Sequence, residues 1–472
     1  MYYDYFCTMK VEQIYTGCLS QGAYFIESNG EAAVIDPLRD VSEYIKLAEK
    51  SNSKIKYVFE THFHADFVSG HLTLSKLTGA TIVYGPKADP EFEAIIAEDN
   101  QVFNIGNATL TVIHTPGHTL ESTSFLLKDE SGKEHSIFTG DTLFLGDVGI
   151  PDVAQRYKGI SKEELAGTIY DSVNNRIKPL PEGILVYPGH GAGSACGKNM
   201  MKETVDTLAN QKKINYALNG TFTRNNFIKE LTDELPEPPA YFPSNVKLNQ
   251  QGYLDLDKII KDSSKPLNID EFKTLSKNVD TIILDVRHQD DFKDGYVPDS
   301  IFVGLRGGFA PWVGSVIKDV DQKILLVCEN GQENEAITRL SRVGFDNVIG
   351  YLEGGFNSWK NSQEETQTIE SISALNLEEL VNNEISLIDV RACGERKSGY
   401  LNESFSIPLN SIESKFESID KSKKHYIHCA GGYRSMIACS YLKQKGFQNL
   451  VDVKGGFASI TKNTSLEILK EN

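Results

Sequence analysis

The chain has 472 residues, 40% of them apolar and 10% aromatic, and carries 65 acidic against 48 basic side chains for a formal net charge of −17. That length implies about three domains, and the acidity argues against nucleic acid or an anionic membrane as partner, although an anionic small substrate needs only local cations. No apolar run reaches the roughly 18–20 residues of a membrane span, MYYDYFCTMK has neither a basic start nor an apolar signal region, and seven cysteines without a framework fit a reducing compartment, so a cytoplasmic enzyme is expected.

Taken in order, residues from about Met9 to Asp36 read as a hairpin turning at Ser28–Gly30. Val41–Ser51 has helical spacing, Lys54–Thr61 reads as a strand, Leu72–Gly79 as a helix, and Ala80–Tyr84 and Thr109–Thr115 as strands. The apolar run Tyr57–Phe59 stops at Thr61, and His62, His64 and Asp66 follow in alternation. Strand Thr109–Thr115 leads into TPGHTLES, where Pro116 and Gly117 turn the chain and leave His118 on a loop. Strand Ser136–Gly140 leads to Asp141, and Ile184–Tyr187 leads to His190 in LVYPGHGAGSACGK. One such residue is an ordinary polar loop position. Four strand ends, each presenting His or Asp, point to a metal site. His71, His114 and His135 fit structural or solvated roles.

A proline-rich stretch, LPEPPAYFPSN, reads as a linker. Beyond it the chain repeats itself. ILDVRHQDDFKDGYVPDSIFVGL matches LIDVRACGERKSGYLNESFSIPL, with Asp285 and Asp389 104 residues apart. Cys328 and Cys429 lie 101 residues apart, as do Gly354 and Gly455. Each copy alternates short apolar strands with helical stretches, which predicts a parallel sheet covered by helices. The polar run NSQEETQT separates the copies.

The pattern H-x-H-x-D resembles the metal loop of the metallo-β-lactamase superfamily, an αββα sandwich with metal at its strand ends. Most dinuclear zinc members place a further His directly after the Asp. Here that residue is Phe67, which cannot ligate, so a mononuclear centre is expected. In combination, THFHAD, TPGHT and FTGD resemble the persulfide dioxygenase branch of that superfamily. The resemblance implies that His62, His118 and Asp141 hold one non-haem Fe(II). Two histidines and a carboxylate with open positions suit that ion better than structural zinc. It further implies that His64, Asp66 and His190 orient ligands or water. Relatives often carry an arginine where Ile150 stands in GDVGIPDVAQRYK. A clamp for the substrate anion is then missing or supplied by Arg156, which reads equally as a surface arginine. Cys196, in the loop after His190, reads either as a persulfide relay or as a small buried residue. Cys18 has a weaker claim, and Cys7, Cys393 and Cys439 are expected to be inert.

CAGGYRS, Cys429–Ser435, ends a buried strand and leads into a helix. Loop N–H groups, the helix N-terminus and Arg434 are expected to lower the thiol's pKa and to hold an anionic persulfide. With the DVR at Asp389–Arg391 and the GGF at Gly455–Phe457, this loop resembles the rhodanese family of sulfurtransferases. Cys429 is then the nucleophile, with Arg434 as its cationic partner. In the first copy the loop is CENGQEN, where Glu329 and Glu333 disfavour an anionic sulfur at Cys328. A degenerate, scaffolding repeat is expected there, with an altered transfer activity as the other reading.

The whole chain resembles fusion enzymes that join a persulfide dioxygenase, an inactive rhodanese-like domain and an active rhodanese. The fold class implied is α/β multi-domain: a metallo-β-lactamase sandwich over 1–245, a degenerate rhodanese-like domain over 246–365 and an active rhodanese over 366–472. The implied function is oxidation of low-molecular-weight thiol persulfides (glutathione, coenzyme A or bacillithiol type) with O2 to sulfite, at mononuclear Fe(II). Cys429 then transfers sulfur from persulfide to sulfite, giving thiosulfate, for sulfide detoxification. Tethering raises the effective sulfite concentration at the second site, and a homo-oligomer is implied by analogy. Two alternatives are a glyoxalase II-like metal-dependent thioester hydrolase fused to a sulfurtransferase, and a sulfur-trafficking protein with a structural metal domain.

Overall fold

The computed structural model describes residues 9–152, 156–235, 237–381, 385–402 and 404–470. Cys7 and the rest of residues 1–8 lie outside them. Contacts divide the chain into two units, one comprising 1–256 with 341–344 and the other 257–340 with 345–472.

The first unit is built on two six-stranded sheets. Asn29 and Gly30 adopt φ of 47° and 79°, the left-handed pair that a two-residue hairpin requires. They join Gln21–Ser28 antiparallel to Glu31–Ile35. The sheet continues through parallel strands Lys54–Glu60 and Thr81–Tyr84, helix Ser42–Lys50 leading into the first of them and helix His71–Thr78 into the second. Side chains alternate across a strand. Tyr24 and Ile26 therefore enter the core between the sheets, with Phe59, Leu110, Val112, Phe125 and Phe138. Ala23 and Phe25 face the opposite way and pack with Tyr44, Ala48 and Leu74 of the covering helices. The second sheet contains Ala108–His114, Thr123–Lys128, Glu134–Gly140 and Leu185–Pro188 as neighbours.

The second unit holds two five-stranded sheets with the same strand order. In one, Val348–Leu352, Lys323–Val327 and Thr281–Asp285 are successive neighbours; in the other, Leu450–Val453, His425–His428 and Ser386–Asp389 are. Their pairings are parallel, and strands such as KILLV and HYIH are buried along almost their whole length, as in sheets covered by helices on both faces. The two copies thus share one architecture, as their sequence repeat implies.

The stretch read as a linker is partly structured. Tyr241 and Phe242 are each 1% exposed, and Pro243 lies in the first turn of helix Phe242–Gln251, where a missing N–H costs nothing. This helix packs with the first unit, so the contact boundary falls after Leu256 instead of at residue 245. Among the described residues, no helix is long and apolar enough to cross a membrane.

Candidate functional site

The four strand-end residues meet at one end of the sandwich. His62 follows Lys54–Glu60, Asp141 follows Glu134–Gly140, and His190 follows Leu185–Pro188 after one glycine. His118 arrives on the turn after Ala108–His114. His62, His118 and Asp141 are buried, and one ligand atom from each lies within 4.8 Å of the others.

Hydrogen bonds fix the orientation of both rings. Thr61 Oγ1 donates to Asp36 Oδ2 (2.8 Å), so it accepts from the Nδ1–H of His62 (3.0 Å). His118 Nδ1–H donates to the Ile150 carbonyl (2.6 Å). Each ring therefore turns an Nε2 lone pair inward, as a metal ligand must. Burial holds both histidines below their ordinary pKa, and the neighbouring imidazoles add to that effect. Burial alone would raise the Asp141 carboxyl, but His190, His62 and His118 hold it well below the usual carboxylate range. His118 Nε2 and Asp141 Oδ2 lie 3.5 Å apart, buried, and neither has a hydrogen-bond partner among the described residues. Two neutral imidazoles and one ionised carboxylate converge on a point where their own chemistry is unsatisfied. That donor set could hold a divalent ion.

His190 bridges two carboxylates, with Nδ1 2.8 Å from Asp141 Oδ1 and Nε2 2.7 Å from Asp66 Oδ2. Burial opposes its charge, but those two anions raise its pKa well above the ordinary value. Cys196 joins Asp66 and His190 in a second buried cluster. Burial, followed by the charges of Asp66 and Asp141, pushes its thiol well up, which keeps it neutral. His64 turns away from His62 toward Asp36 Oδ1 (3.1 Å) and Glu60 Oε2 (3.4 Å). Burial opposes its charge, yet those carboxylates raise it to about 10. Phe67 lies against the His64 ring, centroids 4.3 Å apart. Among the described residues, buried His71 has no hydrogen-bond partner on either ring nitrogen, and its pKa is held at about 3, chiefly by burial. His114 Nε2–H donates to the Leu120 carbonyl (3.0 Å), and His135 Nδ1 shares a hydrogen bond with the Ser136 hydroxyl (3.1 Å).

Arg156 is not a free surface cation. Its Nη2 donates to Glu121 Oε1 (2.9 Å) and to the Tyr157 hydroxyl (2.7 Å), which itself donates to Glu121 Oε2 (2.7 Å). Buried Glu121 thus compensates its charge, beside the His118 loop. Cys18 is only partly buried.

The CAGGYRS loop presents a different chemistry. The Gly432 N–H donates to Cys429 Sγ at 3.1 Å, and Gly432 reaches the necessary φ of 101° because it has no Cβ. Phe457 N–H takes the Cys429 carbonyl at 2.7 Å, which ties the GGF segment to the loop. Asp389 and Arg391 bond one another, and the guanidinium lies 3.7 Å from the Phe457 ring centroid. Arg434 forms a two-pronged pair with Glu395 (2.6 and 2.7 Å) and lies over Trp312 of the first repeat, and its charge also interacts with the Cys429 sulfur, so the cation is shared between that carboxylate and the sulfur. The equivalent glycine in the first repeat, Gly331, gives its N–H to Glu333 Oε1 instead (3.0 Å). Burial, then Glu333, Asp285 and Glu329, push Cys328 up to about 12.

Several participants escaped the sequence reading. Asp36 carried a signal, since it too ends a buried strand, in AVIDP. Glu60, Glu121, Tyr157 and Glu395 carried none, because a buried ion pair looks like any other loop or strand-end charge. Asn249, which donates to the carbonyls of His64 and Phe67 (both 2.8 Å), lies more than 180 residues away in sequence.

Comparison with known proteins agrees with this division. Residues 16–190 match the metallo-beta-lactamase superfamily, and residues 268–362 and 373–463 each match the rhodanese-like domain. A metallo-beta-lactamase from Staphylococcus aureus subsp. aureus COL is 31% identical in its crystal structure, with a TM-score of 0.64 covering 74% of this chain and 99% of that one. The mitochondrial persulfide dioxygenase ETHE1 of Mus musculus is 30% identical over 227 residues, 47% of this chain and 80% of that protein. The cytoplasmic hydroxyacylglutathione hydrolase of Arabidopsis thaliana is 33% identical over 166 residues, 35% of this chain; the match spans only 60% of that relative's length. The fold is a metallo-β-lactamase sandwich followed by rhodanese-like domains. The chain belongs to the family of fusions between an ETHE1-type persulfide dioxygenase domain and rhodanese-like domains.

Proposed function

We propose that this protein is a persulfide dioxygenase–sulfurtransferase that oxidises low-molecular-weight thiol persulfides to sulfite and joins sulfite to a second persulfide sulfur, giving thiosulfate, in the cytoplasm. The observation that carries the reading is the pair of orphaned, buried ligand atoms, His118 Nε2 and Asp141 Oδ2, beside His62, on the same chain as a Cys429 loop with an N–H aimed at its sulfur. A mononuclear Fe(II) suits two imidazoles and a carboxylate, and when bound it supplies open positions for O2 and a persulfide sulfur. His62, His118 and Asp141 are the residues proposed to hold it. Thr61 and the Ile150 carbonyl keep both imidazoles turned inward, while His190 holds the second oxygen of Asp141. Phe67 withholds a ligand from any second ion and closes that side against water with a buried ring. The Arg156–Tyr157–Glu121 group borders the His118 loop and is the candidate for receiving the thiol portion of the substrate. Overall, RSSH, O2 and water give RSH, sulfite and two protons. At the second site, Cys429 takes the outer sulfur of a persulfide and yields it to sulfite.

Oxygen uptake by the Fe(II)-loaded protein with glutathione persulfide, coenzyme A persulfide or bacillithiol persulfide, with sulfite and thiosulfate quantified, tests both halves. Uptake with thiosulfate as product is expected, and Cys429→Ser leaves uptake intact while product shifts to sulfite. An iron-replete sample inert toward all three persulfides would overturn the oxygenase half.

The match to hydroxyacylglutathione hydrolases favours one second reading, a metal-dependent thioester hydrolase fused to the sulfurtransferase. Such chemistry uses metal-bound water as nucleophile. Phe67 counts against it when two ions are needed. Release of glutathione from a hydroxyacylglutathione, without oxygen consumption, would establish it.

A further inference from the structure

Beneath the Cys429 loop runs a chain of polar groups that the sulfur-transfer scheme above leaves unused. Cys429 Sγ lies 3.6 Å from Ser435 Oγ, in donor geometry. Ser435 Oγ donates to Asp452 Oδ1 at 2.6 Å, and Ser371 Oγ donates to Asp452 Oδ2 at 3.1 Å. Ser435 is fully buried and Asp452 is 4% exposed. A carboxylate in such a place is costly unless it is held by donors, and here both of its oxygens are held by serine hydroxyls.

The first repeat lacks the whole line. Asn334 stands at the Ser435 position and Tyr351 at that of Asp452, each 101 residues earlier. Pro266 pairs with Tyr351 as Ser371 pairs with Asp452. Three polar groups have been replaced together in the copy whose cysteine is held as a neutral thiol.

We propose that Ser435 and Asp452 form a proton relay, with Ser435 as the catalytic hydroxyl on the reacting sulfur and Asp452 as the positioning residue behind it. The proposal rests on the sulfurtransferase reading of Cys429. In the first half-reaction, Sγ attacks the outer sulfur of RSSH. The Sγ–S bond forms, the RS–S bond breaks, and RS⁻ leaves with the bonding pair. The thiol proton passes to Ser435 Oγ as the serine's own proton passes to Asp452. In the second half, sulfite attacks the outer sulfur of the Cys429 persulfide and leaves as HSSO3⁻. The Cys429 thiolate then recovers its proton from Asp452 through Ser435. The sum is RSSH + SO3²⁻ → RS⁻ + HSSO3⁻, with no net oxidation.

Burial pushes the Asp452 carboxyl up to about 6, the two serines partly opposing it. From the helix Gln289–Asp294, Asp290 raises it and Lys293 lowers it; the neutral thiol of Cys439 also faces it. The relay can therefore accept a proton only above about pH 6.

The test is the rate at which the full-length protein loads one sulfur onto Cys429 from glutathione persulfide, followed by quenching and peptide mass between about pH 5 and 9. The wild type should show a limb rising near pH 6. Asp452→Asn and Ser435→Ala should lose that limb and load about tenfold or more slowly at pH 7, while Ser435→Thr retains both. Iodoacetamide alkylation of Cys429 over the same range needs no sulfur donor and should show the same dependence on Asp452. An Asp452→Asn protein that keeps the limb, or that reacts faster, overturns the relay, because a carboxylate acting only as a nearby charge would repel the thiolate. A wild type that is never loaded, yet shows the alkylation limb, overturns the sulfurtransferase reading and leaves the proton path standing.

Discussion

A methyl group on Gly149 would lie 2.0 Å from the Asp141 carbonyl oxygen and 3.0 Å from His118 Nδ1. The absence of that side chain lets Ile150 present its carbonyl to the His118 ring. Gly149→Ala should therefore tilt the imidazole and weaken metal retention by about 10–100-fold, measured by chelator competition. A charge at a second residue governs Cys328. Burial is the larger cause of its raised pKa and Glu333 the next. Glu333→Gln removes a repelling anion, so the midpoint of Cys328 alkylation should fall by roughly one pH unit from about 12 and stay above the ordinary thiol value. Peptide mapping after alkylation across pH reads it directly. A midpoint that does not move would show that Glu333 is not among the groups that keep this cysteine inert.

At the scale of elements, helix Phe242–Gln251 acts on a loop far from it in sequence. The Asn249 side chain accepts from Ser69 N–H (2.8 Å) and donates to the carbonyls of His64 and Phe67. It thereby replaces the secondary structure that a loop of alternating ligands cannot make for itself. Asn249→Ala strands all three buried groups and should destabilise the first unit by about 3 kcal/mol or more, read from its denaturant midpoint, with metal retention falling in parallel. Helix Lys162–Ser172 secures the neighbouring loop. Ser161 and Glu164 form a capping box at its start, and Ser172 Oγ donates to the Pro116 carbonyl two residues before His118. Ser161→Ala should cost about 1 kcal/mol and leave metal content unchanged, because the cap lies at the end of the helix away from that loop.

For the molecule as a whole, the residues proposed to hold metal all belong to the first unit, and the Cys429 machinery belongs to the second. Removing metal with a chelator should abolish oxygen uptake and leave persulfide loading of Cys429 at its original rate. Loss of loading on chelation would mean that the sulfur reaches Cys429 only through the metal domain.

Much of this is legible in the amino-acid sequence. Strand ends carrying His62, His118, Asp141 and His190 announce themselves because an apolar strand that stops at a ligand-type residue is a local pattern, and the repeat is visible because its spacing is constant. The same holds for Cys429, whose small-residue loop between strand and helix is written in seven consecutive letters. Fold class follows from these local periodicities, since burial demands a period of two in the sandwich strands and continuous apolar runs in the parallel sheets. What the tertiary structure alone decided is the state and partnership of each group: the inward lone pairs of His62 and His118, the commitment of Arg156 to Glu121 and of Arg434 to Glu395, the clasp of Asn249, and the line from Cys429 to Asp452. Each includes at least one hydrogen bond between residues that lie from 17 to 185 positions apart. The directions of such bonds are set by how strands and helices pack against one another, and no spacing along the chain encodes them.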